Sequence, residues 1–176
     1  MAVSVLVILG AGYLVWDSVD SSEAEEAFLA LAAEGRGELP TIDRDPNLGN
    51  RHLDPGQDFD YGKRFPTSGP HALTPTRPGI YDDIQPPIEV VHALEHGHIV
   101  IYRDRPGEAV EEILSGWSSL YGGLWDGVVV VPSPGLGERI VMTAWRHRLD
   151  LANFDAKIAA AFIDRFRGRG PENPVR

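Results

Sequence analysis

The chain contains no cysteine, which excludes a disulfide framework, a thiolate metal centre and a thiol nucleophile at once. Apart from Met1, Met142 supplies its one sulfur atom. Basic side chains are scarce: 16 Lys and Arg stand against 26 Asp and Glu, giving a formal charge of −10 and a pI near 4.9. Nucleic-acid binders cluster Lys and Arg to displace counterions from phosphates, so no nucleic-acid partner is expected. Long apolar runs are missing too, with one exception at the start, MAVSVLVILGAGYLVWDSVD.

In that stretch residues 2–16 carry no charge, and only Ser4 and Tyr13 bear hydroxyls. A full bilayer span takes about 20 apolar residues, so the run is short, but a thin bilayer accommodates it. Tyr13 and Trp16 suit the interface. There is no basic leader region and no small-x-small cleavage site, and apolar character on every face is foreign to a soluble core helix. Residues 1–17 therefore read as an uncleaved transmembrane anchor. Asp17, Asp20, Glu23, Glu25 and Glu26 follow, with no base before Arg36, a composition typical of the non-cytoplasmic side. The expected protein is single-pass and membrane-anchored, with its C-terminal domain extracytoplasmic (periplasmic).

With 176 residues, 43% of them hydrophobic, the chain can bury one sizeable core. Residues 18–37 form an acidic juxtamembrane segment with a short helix, opened by the capping-box pattern Ser22-x-x-Glu25, made sticky by Phe28, Leu29 and Leu31, and ended by Gly35 and Gly37. Residues 39–87 hold nine of the 14 prolines, which rules out long helices and leaves loops, turns and short edge strands. Phe59, Tyr61, Phe65, Ile80 and Tyr81 make this segment too apolar for a solvated linker, so it should pack on the core.

Pro87 then suits the first turn of a helix, IEVVHALEH, which Gly97 terminates. HIVIYR reads as a strand. EAVEEILSGWSSLYG places Val110, Ile113, Leu114, Trp117 and Leu120 or Tyr121 at helical spacing. GVVVVP is a buried strand, ERIVMTAW another after the turn Ser133-Pro134-Gly135, and FDAKIAAAFIDRFRG a helix with Ile158, Ala161, Phe162 and Phe166 on one face. The unit over residues 98–132 predicts a right-handed parallel pair, with 139–145 antiparallel beside it. The fold class is α+β: a small mixed sheet with helices packed on it and a long Pro-rich loop segment, residues 38–176 forming one extracytoplasmic domain behind the N-terminal anchor helix.

The chemistry concentrates in VVHALEHGHIVIYR. Residues four apart share a helix face about 5–6 Å from each other, so His92 and His96 project together, with Glu89 on the same face. Two ligands do not make a metal site. His71, closing FPTSGPH, and His52, in NRHLDPG, are the further candidates. Neutral imidazoles suit Cu(II), Zn(II) or Ni(II), and Met142 would favour Cu(I) if it reached them. Each histidine also has an ordinary reading: His96 beside Gly97 can simply complement a helix terminus. His98 falls on the strand facing another direction and is a poor ligand. His147, between Arg146 and Arg148, reads as a surface residue. Ser68 sits in a turn whose hydroxyls bond local backbone and lacks a paired base. His92-Ala93-Leu94-Glu95-His96 matches H-x-x-E-H, the inverted zinc-protease pattern in which Glu95 would activate water and Glu172 would be a third ligand. Such proteases continue the helix well past the motif, whereas Gly97 ends this one.

FPTSGPH, GIYDD, VVHALEHGHIVIYR, MTAW and FIDRFRGRGPE together resemble the bacterial family called domain of unknown function 3105 (DUF3105), in order and spacing, over roughly residues 50–172. The resemblance implies an extracytoplasmic, often membrane-anchored domain and no established reaction. Its histidine pattern selects His52, His71, His92 and His96, with Glu95 and Glu172 in matching phrases. Many members carry a cysteine pair that this chain lacks, so a crosslink is lost or replaced here.

These readings converge on a metal-binding domain, for copper or else zinc, with His52, His71, His92 and His96 as ligands, and they lean away from an enzyme without deciding the point. The partners expected are the membrane, through the N-terminal helix, and a membrane protein complex. Two alternatives stand beside it: a metal-free structural or assembly module of such a complex, and a zinc-dependent hydrolase using HALEH.

Overall fold

Alternation along one strand organises the molecule. In IVIYR, Ile99 and Ile101 join one apolar cluster while Val100 and Tyr102 join another, as the period of two in an extended chain requires when a sheet is covered on both faces. The computed structural model describes residues 21–176; the anchor read over residues 1–17 lies outside them. Among the described residues, no helix is long and apolar enough to cross a membrane.

In chain order the elements are α1 (Ser21–Gly35), β1 (Asp43–Arg44), β2 (Gly79–Ile80), α2 (Pro87–Glu95), β3 (Ile99–Arg103), α3 (Glu108–Leu120), β4 (Val128–Pro132), β5 (Ile140–Ala144), β6 (His147–Leu151) and α4 (Ala156–Phe166). Among the described residues the fold is α+β, with four helices and a six-stranded mixed sheet in the order β1-β6-β5-β3-β4-β2. The parallel pair β3/β4 runs from Ile99↔Val128 to Arg103↔Pro132, and β5 lies antiparallel on the other side of β3, pairing Ile101 with Met142. The Pro-rich segment provides β1 and β2, the two edges, where a strand can end its ladder without leaving backbone groups buried and unpaired.

One face of the sheet packs on α1, α3 and α4 through Phe28, Ala32, Leu114, Trp117, Phe162 and Ile163. Phe28 is locked edge-on against Trp117 and Tyr121, at centroid distances of 5.5 and 5.0 Å. Asp155 caps α4, its carboxylate accepting from the Lys157 and Ile158 amides. The opposite face carries Val90 and Leu94 of α2, with Phe65 and Tyr81 of the Pro-rich segment packed alongside. This second layer holds the histidines.

Several expectations change. The strand β6 is an addition: HRLDL alternates, burying Leu149 and Leu151 while Asp150 stays outside, and Arg146 (φ 63°) forms the tight turn from β5. His147 is consequently half-buried rather than a surface residue, its ring stacked 4.4 Å from Phe166. Ile80 does not join the core but is exposed on the edge strand β2. On α4 the buried set is broader than one stripe, because Ala159, Ala160 and Ile163 are buried too where the helix lies between α1 and the sheet. Met142 belongs to the face packed on α1, α3 and α4. The sheet therefore stands between its sulfur and the α2 histidines, and a thioether contribution to the cluster is ruled out.

Candidate metal centre

Three segments build the site. Pro87 at the start of α2 fixes the helix entry, and one turn separates His92 from His96, whose amide donates to the His92 carbonyl. The Pro-rich segment delivers the other two imidazoles. His52 and His71 form an isolated parallel bridge, the Leu53 amide donating to the His71 carbonyl at 2.7 Å and the His71 amide to Arg51 at 3.0 Å. The amides of Ala72 and Thr76 donate to the carbonyls of Ile88 and Glu89 and so pin this loop to α2. The C-terminal tail provides Glu172, held by its amide near the Glu95 carbonyl and by the Gly168 amide donating to Gly97.

Tail and helix meet at two glycines. A Cβ on Gly97 would lie 2.8 Å from the Gly170 nitrogen and the Trp125 carbonyl oxygen, and Gly97 itself has φ 94°. A Cβ on Gly170 would collide with the Glu95 carbonyl and the Gly97 backbone. Only bare backbone permits this approach.

The four rings form a continuous series: centroids of His52 and His71 are 4.8 Å apart, His71 and His92 4.7 Å, and His92 and His96 4.7 Å, with His52 also 5.0 Å from His92. Donor atoms of His52, His71, His92 and Glu95 all lie within 4.8 Å of one another, as do those of His92, His96 and Glu172, so either group can hold a metal ion. Two donors about 2.0–2.1 Å from a shared ion sit at most about 4.2 Å apart when opposite one another and about 3.4 Å apart in a tetrahedron, so an ion would draw the donors of either group together. His71 is fully buried, His92 and Glu95 nearly so, and His52 is exposed.

Hydrogen bonding fixes which nitrogen faces the centre. Nδ1 of His71 lies 2.9 Å from the Gly69 carbonyl oxygen, that of His92 2.7 Å from Ala72 and that of His96 3.1 Å from Leu124. A carbonyl oxygen only accepts, so each Nδ1 carries a proton and the neutral form of each ring has its lone pair on Nε2, the arrangement typical of metal-binding histidines. Two of those lone pairs face carboxylates: His71 Nε2 is 3.0 Å from Glu95 Oε2 and His96 Nε2 is 3.1 Å from Glu172 Oε2, with His92 Nε2 3.7 Å from the same oxygen. The buried His71 Nε2 makes no hydrogen bond despite that proximity. Two acceptors brought together in a dry interior need a proton or a metal ion between them. Burial, followed by the field of His71, pushes the His92 pKa down to about 4, so this ring is neutral near pH 7 and its lone pair is free for a Lewis acid.

The structure thus brings His52, His71, His92 and His96 into one cluster, distributed over two donor groups, and adds Glu95 to the first and Glu172 to the second. His98 stays outside both. Its Nδ1 accepts from the Gly127 amide at 2.9 Å, which puts the ring proton on Nε2, and burial lowers its pKa to about 3. Ser68 is a satisfied turn residue, accepting from the Leu48 amide and donating to the Pro46 carbonyl. Sequence reasoning missed Trp125, whose ring lies 4.2 Å from that of His96; an isolated Trp in a loop offers no periodicity to place it.

The family described as Protein of unknown function (DUF3105) matches residues 52–176. The chain belongs to this family. The match to DUF3105 begins at His52 and takes in all six donors. No curated protein and no solved structure matches the chain.

Proposed function

We propose that this DUF3105 protein is a membrane-anchored, extracytoplasmic copper-binding protein whose ligands are His52, His71, His92 and His96, assisted by Glu95 and Glu172, and whose role is to bind or deliver the ion or to stabilise a membrane complex through it. The observation that carries the metal reading is the common orientation of three imidazoles. Each commits Nδ1 to a backbone carbonyl and turns Nε2 inward, two of them onto carboxylate oxygens. Imidazole and carboxylate donors without sulfur favour Cu(II), which such sites hold more tightly than Zn(II). The anchor and the extracytoplasmic placement rest on the uncharged run of residues 2–16 and the acidic residues after it.

Elemental analysis of purified protein titrated with Cu(II) and Zn(II) in competition tests this. About one copper per chain is expected, and joint replacement of His92 and His96 by Ala should abolish uptake. Unchanged stoichiometry in that double variant, or preference for zinc under competition, defeats the copper reading. The hydrolase alternative is disfavoured because the Glu95 carboxylate is almost fully buried and turned onto His71, leaving it poorly placed to activate solvent water.

A further inference from the structure

The two donor groups share a residue, and this limits how they can be filled. His92 belongs both to the group with His52, His71 and Glu95 and to the group with His96 and Glu172. Its Nδ1 is committed to the Ala72 carbonyl at 2.7 Å, so only Nε2 is available, and an imidazole nitrogen has one in-plane lone pair. That lone pair serves one ion at a time.

The groups also differ in depth and charge. The first offers three imidazoles and a carboxylate, with the His71 side chain 0% and the Glu95 side chain 4% exposed. The second offers two imidazoles and a carboxylate, and Glu172 is 38% exposed. Of the six donors, Glu172 alone combines negative charge with solvent access: Glu95 is buried, and His52, the other exposed donor, is an imidazole. A cation approaching from water meets an oxygen donor whose desolvation costs little at Glu172, whereas four donors hold it more tightly further in.

We infer that the cluster comprises two overlapping ion positions filled in alternation, an outer exchange position (His92, His96, Glu172) and an inner resting position (His52, His71, His92, Glu95), with His92 passing the ion between them. This deepens the copper reading and rests on it. Glu172 is carried on the C-terminal tail, so the tail governs exchange without belonging to the resting site.

The test adds CuCl2 to metal-free full chain and to Glu172→Gln, whose exposed side chain poses little risk to folding. Wild type should bind one Cu(II), with nitrogen superhyperfine structure from three imidazoles in its electron paramagnetic resonance spectrum. Glu172→Gln should slow uptake, and removal by EDTA, at least about tenfold, the size of effect that losing one group at a metal site carries, while the copper that does enter shows the three-nitrogen spectrum of the inner position. His71→Asn should shift the resting ion to a two-nitrogen spectrum. Two copper ions per wild-type chain, unchanged exchange rates in Glu172→Gln, or loss of the three-nitrogen spectrum in that variant each overturn the alternation. Failure of wild type to bind copper at all instead overturns the copper reading beneath it.

Discussion

Gly170→Ala is a small perturbation with a calculable reach. The added Cβ would sit 2.7 Å from Gly97 Cα and closer still to the Glu95 carbonyl oxygen and the Gly97 nitrogen. Non-bonded carbons are comfortable at about 3.5–4.0 Å, so the tail and the end of α2 must separate by roughly 1 Å. Neither side can yield by rotating a side chain, because both are backbone. Overpacking of this kind costs about 1–3 kcal/mol, which for a chain of this size lowers Tm by on the order of 5 °C. The functional effect should be larger than the thermal one. Glu172 is two residues further on, and a 1 Å retreat carries its Oε2 from 3.1 Å to about 4 Å from His96 Nε2, whereas metal–ligand distances tolerate about 0.2 Å. Copper exchange followed by stopped-flow mixing should therefore slow to resemble Glu172→Gln, while the equilibrium stoichiometry holds. A Gly170→Ala protein with wild-type Tm and wild-type exchange would show that the tail does not position Glu172 through this contact, and the reasoning would fail.

Two further outcomes follow from the same geometry. In Glu95→Gln an amide donor can face the His71 lone pair in place of a second acceptor, so urea unfolding of the metal-free variant should give a stability equal to wild type or higher by up to about 1 kcal/mol, while its copper affinity falls; a large loss of metal-free stability would mean that a proton already bridges the pair. Burial works to raise the pKa of Asp164, but its ion pairs to Arg176 of the tail and Arg36 beyond α1 outweigh this and hold it below the usual carboxylate value. The unfolded chain therefore binds this proton more readily than the folded one, so the contribution is present above about pH 4 and is lost as pH falls through the depressed folded value. Urea unfolding from pH 6 to pH 3 should show Asp164→Asn losing less stability than wild type, and parallel curves would refute the assignment.

How much of this was legible in the sequence depends on the range of the interaction. The helical pair His92 and His96 follows from the 3.6-residue period alone, as do the apolar stripe of α3 and the continuous valines of β4. The companionship of His52 and His71 does not, because their segments pair through a single bridge that no periodicity announces. The alternation of HRLDL was present but was overshadowed by the charged run Arg146-His147-Arg148. Met142 shows a different limit. In a strand buried on both faces, alternation no longer distinguishes the faces, so which layer a side chain enters is decided by neighbouring elements. Glu172 was recognisable as a candidate, but the close glycine contact that holds its tail against α2 belongs to tertiary structure.

The donors of this cluster come from the beginning, middle and end of the folded domain, with His52 and Glu172 at the extremes. An unfolded chain holds no such constellation, so an ion bound here favours the native state almost exclusively, adding about 2.7 kcal/mol when its free concentration is a hundred times its dissociation constant. The lifetime of the protein in its compartment would then rise and fall with metal supply, making its abundance a readout of the ion it holds.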